Sequence, residues 1–450
     1  MKEKVVLIGA GSAMFTKGLI ADLLGRKWEA DLALVDTDPG ALEVAEKLAA
    51  KMVAARRAPV SIFASVERRA VLKGATAVIC TVGVGGRRAW EQDCIIPRKY
   101  GIFEPVGDTV MPGGTARALR MIPPMVAIAR DVLDLAPQAL FFNYGNPMTP
   151  VCRAIRRATG APVVGLCHGV HHVGQYLADV LGAPRAAVNY TAVGVNHLTW
   201  FTAFRVHGED AMPRLRRIAR EGLSARQGSA SGSLTEKEQK AVKDNPFSWG
   251  MLDLFGAFPA VLDRHVVEFF PALFRGRNSY YGKTLGVECF NIEEVIARGD
   301  RIYAGMRAAA LSPQPLGEDF FAQFSGEHEQ VLEIIESVRR DAGRLYSANL
   351  PNQGQVPNLP PEAVLEAPAL ADGAGLRALA QKPLSPGLAG TLATRLAWTE
   401  TVVEAALEGS REKFIQALLL DGAVDCLETA AQLADELLAA HKQYLPQFAS

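Results

Sequence analysis

The segment VVLIGAGSAMF, residues 5–15, decides the fold of the first part of this chain. A short apolar run ends at two closely spaced glycines, Gly9 and Gly11, and a stretch with helical spacing follows. Gly9 permits a tight turn, Gly11 lets the backbone approach a pyrophosphate, and the helix N-terminus beside Ser12 offers free N–H groups to phosphates. Met14 occupies the third glycine position of the usual fingerprint, so the motif alone is a weak signal. Its place between a strand and a helix nevertheless predicts a dinucleotide-binding turn.

Three further residues belong to the predicted cofactor site. Asp36 closes the second predicted strand, where an acid accepts hydrogen bonds from ribose hydroxyls and repels a 2′-phosphate. This favours NAD over NADP, and the alternative is that Asp36 only caps the next helix. Thr81 and Gly83 lie in a small-residue turn after another strand, where the nicotinamide side is expected, although such turns also occur without a ligand.

Strand-like and helix-like stretches alternate through residues 1–150, which predicts a parallel sheet with crossover helices. Strands are expected at 4–8, 31–35, 77–82, 139–143 and 163–167, and helices at 15–24, 39–55 and 116–133. Later, strands are expected at 189–195 and 198–206, helices at 248–255, 327–346 and 391–441, and loops at 224–240 and 349–361. The predicted fold class is α/β. An N-terminal Rossmann-type parallel sheet (1–185) precedes an α+β C-terminal catalytic domain (186–450).

Composition excludes several classes of protein. The 450 residues carry 48 Lys and Arg against 48 Asp and Glu, so no nucleic-acid or membrane partner is expected. Six cysteines without a CxxC pair argue against a zinc ribbon or a redox dithiol. The N-terminal apolar run is short and interrupted by glycine, unlike a signal peptide or a membrane span. We therefore expect a cytoplasmic enzyme with reduced thiols.

Two pairs of residues do not fit a simple dehydrogenase. Cys167-His168 and Asn196-His197 each follow a predicted strand, at the edge where open α/β sheets place ligands. A thiolate and an imidazole together hold divalent metals such as Mn²⁺, Fe²⁺, Co²⁺ or Ni²⁺. From spacing alone, a buried cysteine and a hydrogen-bonded histidine remain the better interpretation.

Five dispersed motifs, taken together, are far more specific. They are GAGS at 9–12, VGDTVMPGG at 106–114, NPM at 146–148, CHG at 167–169 and GVNH at 194–197. In this order and spacing they resemble family 4 of the glycoside hydrolases across nearly the whole chain. The segments GAFPAVLDRHVVEF at 256–269 and PNQGQVPNLP at 351–360 resemble the α-galacturonidase branch of that family.

The resemblance implies a fold similar to lactate and malate dehydrogenases and an NAD-dependent hydrolysis. NAD⁺ oxidises the sugar hydroxyl at C3, and a divalent metal, expected to be Mn²⁺, polarises the C2 and C3 oxygens. The C2 proton is then removed, the aglycone is eliminated, water adds, and NADH returns the hydride. Carried over by position, Cys167 and His197 are the metal ligands and Asn146 contacts sugar hydroxyls. Asp108 is a candidate acid for the leaving group, with helix capping as its alternative.

The residue that accepts the C2 proton is the main departure from the family pattern. Many members have a tyrosine directly after the glycine of the 256–269 segment, and this chain has Ala257. Asp263 and His265 lie close by, and Asp263 is preferred because burial raises the pKa of a carboxyl group. A structural ion pair between Asp263 and Arg264 is the alternative.

The substrate class depends on His168 and on nearby cations. Phospho-sugar members of the family usually carry Cys-Asp or Cys-Asn, whereas this chain has Cys-His. The resemblance therefore implies a non-phosphorylated sugar, with His168 in contact with it. A uronate carboxylate needs a fixed cation, best an arginine. Arg264, His265 and Arg275 lie in the relevant stretch, and Arg87 and Arg88 follow the glycine turn.

The leading prediction is an NAD- and metal-dependent α-galacturonidase that acts on a uronide and forms a homodimer or homotetramer. An α-glucuronidase, α-glucosidase or α-galactosidase on the same scaffold is the nearest alternative. A lactate/malate-type 2-hydroxy-acid dehydrogenase would accumulate NADH and need no metal, and a non-catalytic sugar-sensing relative is favoured only by Ala257. The polar segment 224–240 is either a mobile lid or an insertion without a role.

Overall fold

The structure is a computed structural model that describes residues 2–226, 233–274, 276–322, 324 and 329–449. Its first part alternates strands and helices, as the sequence predicts. The elements are β1 (Lys2–Ile8), α1 (Thr16–Gly25), β2 (Glu29–Val35), α2 (Pro39–Arg56), β3 (Val60–Ser65), α3 (Arg69–Leu72), β4 (Ala77–Cys80), α4 (Gly86–Arg98), α5 (Met111–Leu135), β5 (Leu140–Asn143), α6 (Met148–Thr159), β6 (Val164–Gly165) and α7 (Gly169–Val180). All six strands pair in parallel, which confirms the predicted Rossmann-type sheet. The predicted pattern omitted β3, whose half-exposed VSIFAS lies at the sheet edge.

The second part mixes antiparallel strands with helices. The elements are β7 (Val188–Val195), β8 (Leu198–Val206), β9 (Glu209–Asp210), α8 (Met212–Arg226), α9 (Glu236–Asp244), α10 (Pro246–Phe255), β10 (Phe258–Pro259), α11 (Asp263–Val266), β11 (Ser279–Tyr280), β12 (Lys283–Thr284), α12 (Ile292–Leu311), α13 (Glu318–Ala322), α14 (Glu329–Arg339), β13 (Arg344–Pro351), β14 (Val364–Asp372), β15 (Gly375–Ala378), α15 (Pro386–Glu408), α16 (Arg411–Asp421) and α17 (Leu427–Ala440).

One mixed sheet runs through both parts, in the order β10-β8-β7-β14-β13-β6-β5-β4-β1-β2-β3. The β13–β14 hairpin inserts between β6 and β7, antiparallel to both. Gly165, Asn349, Glu366 and Gly194 pair in one row across these four strands. This row brings the β7–β8 turn beside the carboxyl end of β6. The two strands are not direct neighbours, because β13 and β14 lie between them.

Three predicted segments differ from the structure. The predicted helix 327–346 ends at Arg339, and β13 begins at Arg344 because the alternating chain there pairs with β6 and β14. The single helical stretch 391–441 is three helices, because Gly409 and Gly422 end two of them at φ 66° and 86°. Within 224–240, residues up to 226 and from 236 are helical, and 227–232 lie outside the described residues.

Helix α5 follows the VGDT turn and is buried along most of its length. Its first residue, Met111, donates its N–H to Asp421 Oδ2 at 2.9 Å. Arg120 pairs with Asp93 of α4, and both side chains are fully buried. These contacts fix the start of α5 and therefore the turn that precedes it. Across the described ranges, the helices that reach bilayer-spanning length are too polar to cross a membrane.

Candidate active site

The glycine turn after β1 is closely packed. Gly9 has φ +90°, and its N–H donates to Val35 O at 2.8 Å. A Cβ added to Gly9 would lie 2.8 Å from the carbonyl carbon of Thr81, whose Oγ1 donates to Gly9 O at 2.9 Å. Glycine therefore allows β1 and β4 to end side by side, and Thr81 braces the turn.

Asp36 holds the same turn from the end of β2. Its Oδ2 accepts a hydrogen bond from Gly11 N at 2.8 Å, and its Oδ1 accepts one from Asp38 N at 3.0 Å. A Cβ on Gly11 would lie 2.8 Å from Asp36 Oδ2. The cap of α2 is Asp38, which accepts from Gly40 N and Ala41 N, so Asp36 does not cap that helix. The carboxylate and the bare backbone at Gly11 fit the ribose and pyrophosphate of a dinucleotide.

Ser12 and Gly83 complete the predicted cofactor positions. Ser12 Oγ accepts from Phe15 N at 3.3 Å, directly before α1 begins at Thr16. Gly83 lies in the turn after β4, and a Cβ there would lie 3.9 Å from Arg117 Nη2. The turn predicted for the nicotinamide side therefore faces a cation that the sequence interpretation did not single out.

A carboxylate and two imidazoles converge close to Arg117. Ligand atoms of Asp108, His197 and His265 all lie within 4.8 Å of one another, and the two rings are 4.7 Å apart between centroids. His197 has φ +65° in the β7–β8 turn, a conformation that is uncommon for a residue with a side chain and concentrates at functional sites. We call Asp108, His197 and His265 the acid–histidine cluster.

Neighbouring side chains orient the cluster. Thr109 Oγ1 donates to Asp108 Oδ1 at 2.7 Å and lies 2.8 Å from His197 Nδ1. Because the hydroxyl proton goes to Asp108, His197 Nδ1 is the donor in their contact, and Nε2 is the nitrogen left to act as a metal ligand. Asn146 Nδ2 donates to Asp108 Oδ2 at 3.0 Å. Each Asp108 oxygen therefore accepts a hydrogen bond from a neighbouring side chain, and neither caps α5.

The protonation states of Asp108 and His265 favour metal binding. Burial opposes ionisation of Asp108, but His197, His265 and Arg117 outweigh it and lower its pKa to about 2. Burial and His197 lower the pKa of His265 to about 3, so its ring is neutral. His265 Nδ1 is buried without a hydrogen-bond partner among the described residues. A carboxylate beside the neutral imidazole of His265 and the ring of His197 fits a divalent metal of the Mn²⁺ to Ni²⁺ series.

Cys167 lies next to this cluster rather than within it. Its Sγ accepts from Gly169 N at 3.4 Å. Burial, reinforced by Glu366, raises the pKa of the thiol to about 12, and Asp108 contributes in the same direction. The thiol is therefore protonated at neutral pH without a cation beside it. His168 points elsewhere and stacks on Tyr144, with ring centroids 5.7 Å apart.

Asp263, the predicted C2 base, is saturated with hydrogen bonds. Its carboxylate accepts from Phe247 N, Ser248 N, Ser248 Oγ and Tyr280 Oη at 2.5 to 3.1 Å. Burial raises the pKa of Asp263 despite these donors. The first two donors begin α10, so the side chain anchors that helix. Arg264 does not pair with it in the described chain and donates instead from Nε to Pro105 O at 3.2 Å.

The other predicted cations are placed differently. Arg87 and Arg88 both pair with Asp300 of α12. Arg275 lies outside the described residues. Arg117, half-buried on α5, donates from Nε to Asn146 O at 3.1 Å. Arg117 and Thr109 were missed, although Thr109 is the last residue of GDT itself and Arg117 follows it by eight positions, and that proximity was the available signal.

Comparison with known proteins gives two family matches that together span most of the chain. Residues 4–183 match the model for "Family 4 glycosyl hydrolase", and residues 192–424 match its C-terminal domain. An α-glucosidase of Erwinia rhapontici is 30% identical, with 99% of each chain covered. An α-galacturonidase of Bacillus subtilis is 29% identical, covering 97% of this chain and 96% of that protein.

Solved structures share the fold. The structure of a 6-phospho-α-glucosidase from gut microorganisms, in complex with NAD and Mn²⁺, has a TM-score of 0.84 at 19% identity, covering 99% of both chains. A malate dehydrogenase from Cryptosporidium parvum has a TM-score of 0.54 at 14% identity, covering 90% of this chain and 99% of that one. The predicted dehydrogenase-like fold is therefore confirmed.

Proposed function

Because this chain belongs to family 4 of the glycosyl hydrolases, we propose that it hydrolyses α-glycosides with NAD⁺ and Mn²⁺ bound, and that its substrates are α-galacturonides. The observation that carries the proposal is the acid–histidine cluster, which Asn146 and Arg117 connect to the Gly83 turn of a dinucleotide fold. A neighbour with the same fold was crystallised with both NAD and Mn²⁺. Family membership also favours the hydrolase over the 2-hydroxy-acid dehydrogenase.

The bound groups supply a hydride acceptor and a Lewis acid for adjacent sugar oxygens. The chain supplies the positions. Gly9, Gly11 and Asp36 would hold the dinucleotide, while His197, His265 and Asp108 would hold the metal, with Cys167 as a further ligand. With its pKa lowered to about 2, Asp108 is a carboxylate at neutral pH, a form that suits cation binding better than protonation of a leaving group. Asn146, fixed on Asp108, would orient sugar hydroxyls.

Two features support a uronide within the family's range of α-glycosides. The segment PNQGQVPNLP resembles the galacturonidase branch, and one α-galacturonidase relative aligns over nearly the whole chain. Arg264 adjoins His265 on α11, and its Nε donates to Pro105 O. The two terminal nitrogens of its guanidinium would pair with the carboxylate of a uronide. Arg117, anchored on Asn146 O, is the second such cation. Relatives named α-glucosidase and α-galactosidase keep those substrates as the alternatives.

The test is hydrolysis of p-nitrophenyl α-D-galacturonide with NAD⁺, Mn²⁺ and a reducing agent, each omitted in turn. The glucuronide, galactoside, glucoside and 6-phosphate compounds run in parallel. We expect nitrophenol release from the galacturonide that requires all three additions and leaves no net NADH. Preference for a neutral glycoside would reassign the substrate, and NADH accumulation on small hydroxy acids without glycoside cleavage would refute the hydrolase.

A further inference from the structure

A short turn carries Asp108, and a separate segment holds it by its backbone. Glu268 Oε1 accepts hydrogen bonds from Val106 N at 2.8 Å and Gly107 N at 2.7 Å. Arg264 Nε donates to Pro105 O in the same turn at 3.2 Å. Two consecutive peptide units, 105–106 and 106–107, are therefore tied to the segment 264–268 just ahead of Asp108.

The same segment carries His265 between its two anchoring residues. Glu268 follows His265 by three positions, across α11 and the short 3-10 turn Val267–Phe269 that continues it. Residues three apart in a helical segment point to the same side. His265 and Glu268 therefore face the Asp108 turn together, with the imidazole in the acid–histidine cluster and the carboxyl group on the backbone of the turn.

The environment of Glu268 indicates more than general packing. The side chain is fully buried, and Oε2 has no hydrogen-bond partner among the described residues. Burying an acid with half of its acceptors unused is costly. The two hydrogen bonds that Oε1 accepts from the turn give Glu268 a specific role that offsets this cost. Gly107, at φ +67°, lets both N–H groups point at one oxygen.

We propose that Glu268 is a positioning residue that sets the distance between Asp108 and His265, and so assembles the metal-binding geometry of the cluster. The inference rests on the proposed function in treating the cluster as the metal site. It assigns to Glu268 a role that none of the sequence motifs indicated.

The test compares Glu268→Ala, Glu268→Gln and wild-type protein, with Glu104→Gln as the matched control. Glu104 is equally buried and also has an unpartnered oxygen, but it accepts from Gly113 N in the first turn of α5 rather than from the Asp108 turn. Hydrogen exchange of the peptide covering 105–109 reports the two N–H bonds directly, whatever the enzyme does. Mn²⁺ affinity by titration calorimetry and NAD⁺ affinity by fluorescence follow on the same samples.

In Glu268→Ala we expect faster exchange at 105–109 and Mn²⁺ binding weaker by about 10- to 100-fold, as when a residue that orients a metal ligand is lost. NAD⁺ affinity should stay within about twofold, since the glycine turns are untouched. Glu268→Gln keeps an acceptor oxygen and should restore protection and most of the Mn²⁺ affinity, and Glu104→Gln should bind Mn²⁺ normally.

Faster exchange in Glu268→Ala with unchanged Mn²⁺ affinity would overturn the positioning role and leave a structural one. Unchanged exchange would show that the hydrogen bonds from Val106 N and Gly107 N to Glu268 do not hold the turn. If the alanine variant fails to fold, Glu268→Leu, which fills a similar volume without an acceptor, takes its place, and wild-type Mn²⁺ affinity in that variant would overturn the proposal. Wild-type protein that binds no Mn²⁺ would instead refute the metal part of the proposed function. Hydrogen exchange would still decide whether Glu268 holds the Asp108 turn by its backbone.

Discussion

The hydroxyl of Thr109 lies 2.8 Å from Nδ1 of His197. Its proton is directed to Asp108, so this contact selects the tautomer of His197 that leaves Nε2 free to bind a cation. A residue that belongs to no ligand set therefore orients two members of the acid–histidine cluster at once.

Replacing Thr109 should weaken metal binding without unfolding the protein. Thr109→Val keeps the shape of the side chain and removes the hydroxyl, so His197 can rotate or adopt the other tautomer. We expect Mn²⁺ affinity to fall by about 10- to 100-fold, measured by calorimetry. Thr109→Ser retains the hydroxyl and serves as the control; equal losses in both variants would argue against the orienting role.

Gly11→Ala should impair dinucleotide binding. The added Cβ would lie 2.8 Å from Asp36 Oδ2, so the carboxylate must move from the position predicted to meet the ribose. Overpacking of this kind costs roughly 1–3 kcal/mol, which corresponds to a several-fold to hundred-fold rise in the Kd for NAD⁺. Gly25→Ala, at the other end of α1, meets no atom within 4 Å and should bind NAD⁺ normally. An unchanged Kd in Gly11→Ala would remove this turn from the cofactor site.

Asp263→Asn separates an anchoring role from a catalytic one. The amide nitrogen cannot accept, so some of the hydrogen bonds from Phe247, Ser248 and Tyr280 are lost inside the protein. We expect a destabilisation of about 1–3 kcal/mol, seen as a lower Tm, with kcat reduced by much less than 100-fold at a temperature where the variant is folded. A Tm equal to wild type with kcat nearly abolished would instead support Asp263 as the C2 base.

The stability of the metal-free protein should fall in acid because of His265. Burial lowers the pKa of this ring from 6.5 to about 3, so between these values the unfolded chain binds a proton that the folded protein does not. The contribution of His265 to stability is therefore complete above pH 6.5 and lost progressively as the pH falls toward 3. Urea midpoints measured with a chelator from pH 7 to pH 4 should decline less in His265→Gln than in wild type, whereas the exposed His172→Gln should decline like wild type. Parallel slopes for His265→Gln and wild type would contradict this origin.

The part of the fold that local sequence determines was predicted well. The VVLIGAGS turn, the buried runs that became β1, β2 and β4, and the α/β alternation all depend on neighbours along the chain. The stretch 327–346 was misjudged because its helical spacing ends at Arg339, and β13 is a strand only through pairing with residues far away. Asp38, rather than Asp36, caps α2, and residue type alone could not separate two aspartates so close together.

The candidate site shows the same division. The motifs identified Asp108, His197 and Asn146, but not that Thr109 would join Asp108 to a histidine 88 positions away. His265 was predicted as an alternative base or as a cation for a uronate carboxylate, and not as a metal ligand, because nothing in the sequence places it against His197. Such contacts depend on the row Gly165–Asn349–Glu366–Gly194, which forms only when the sheet is complete.

The inserted β13–β14 hairpin has a consequence for how the protein is made. Strands β6 and β7 are separated by one helix in the sequence, yet residues 344–372 must fill the space between them. During synthesis, the nascent N-terminal part therefore exposes the unpaired edge of β6 until that hairpin leaves the ribosome. Non-local pairing of this kind slows folding, and an open strand edge is prone to aggregation. The strand row that completes the site therefore leaves the unfinished chain without the native partner of β6 until the hairpin has been synthesised.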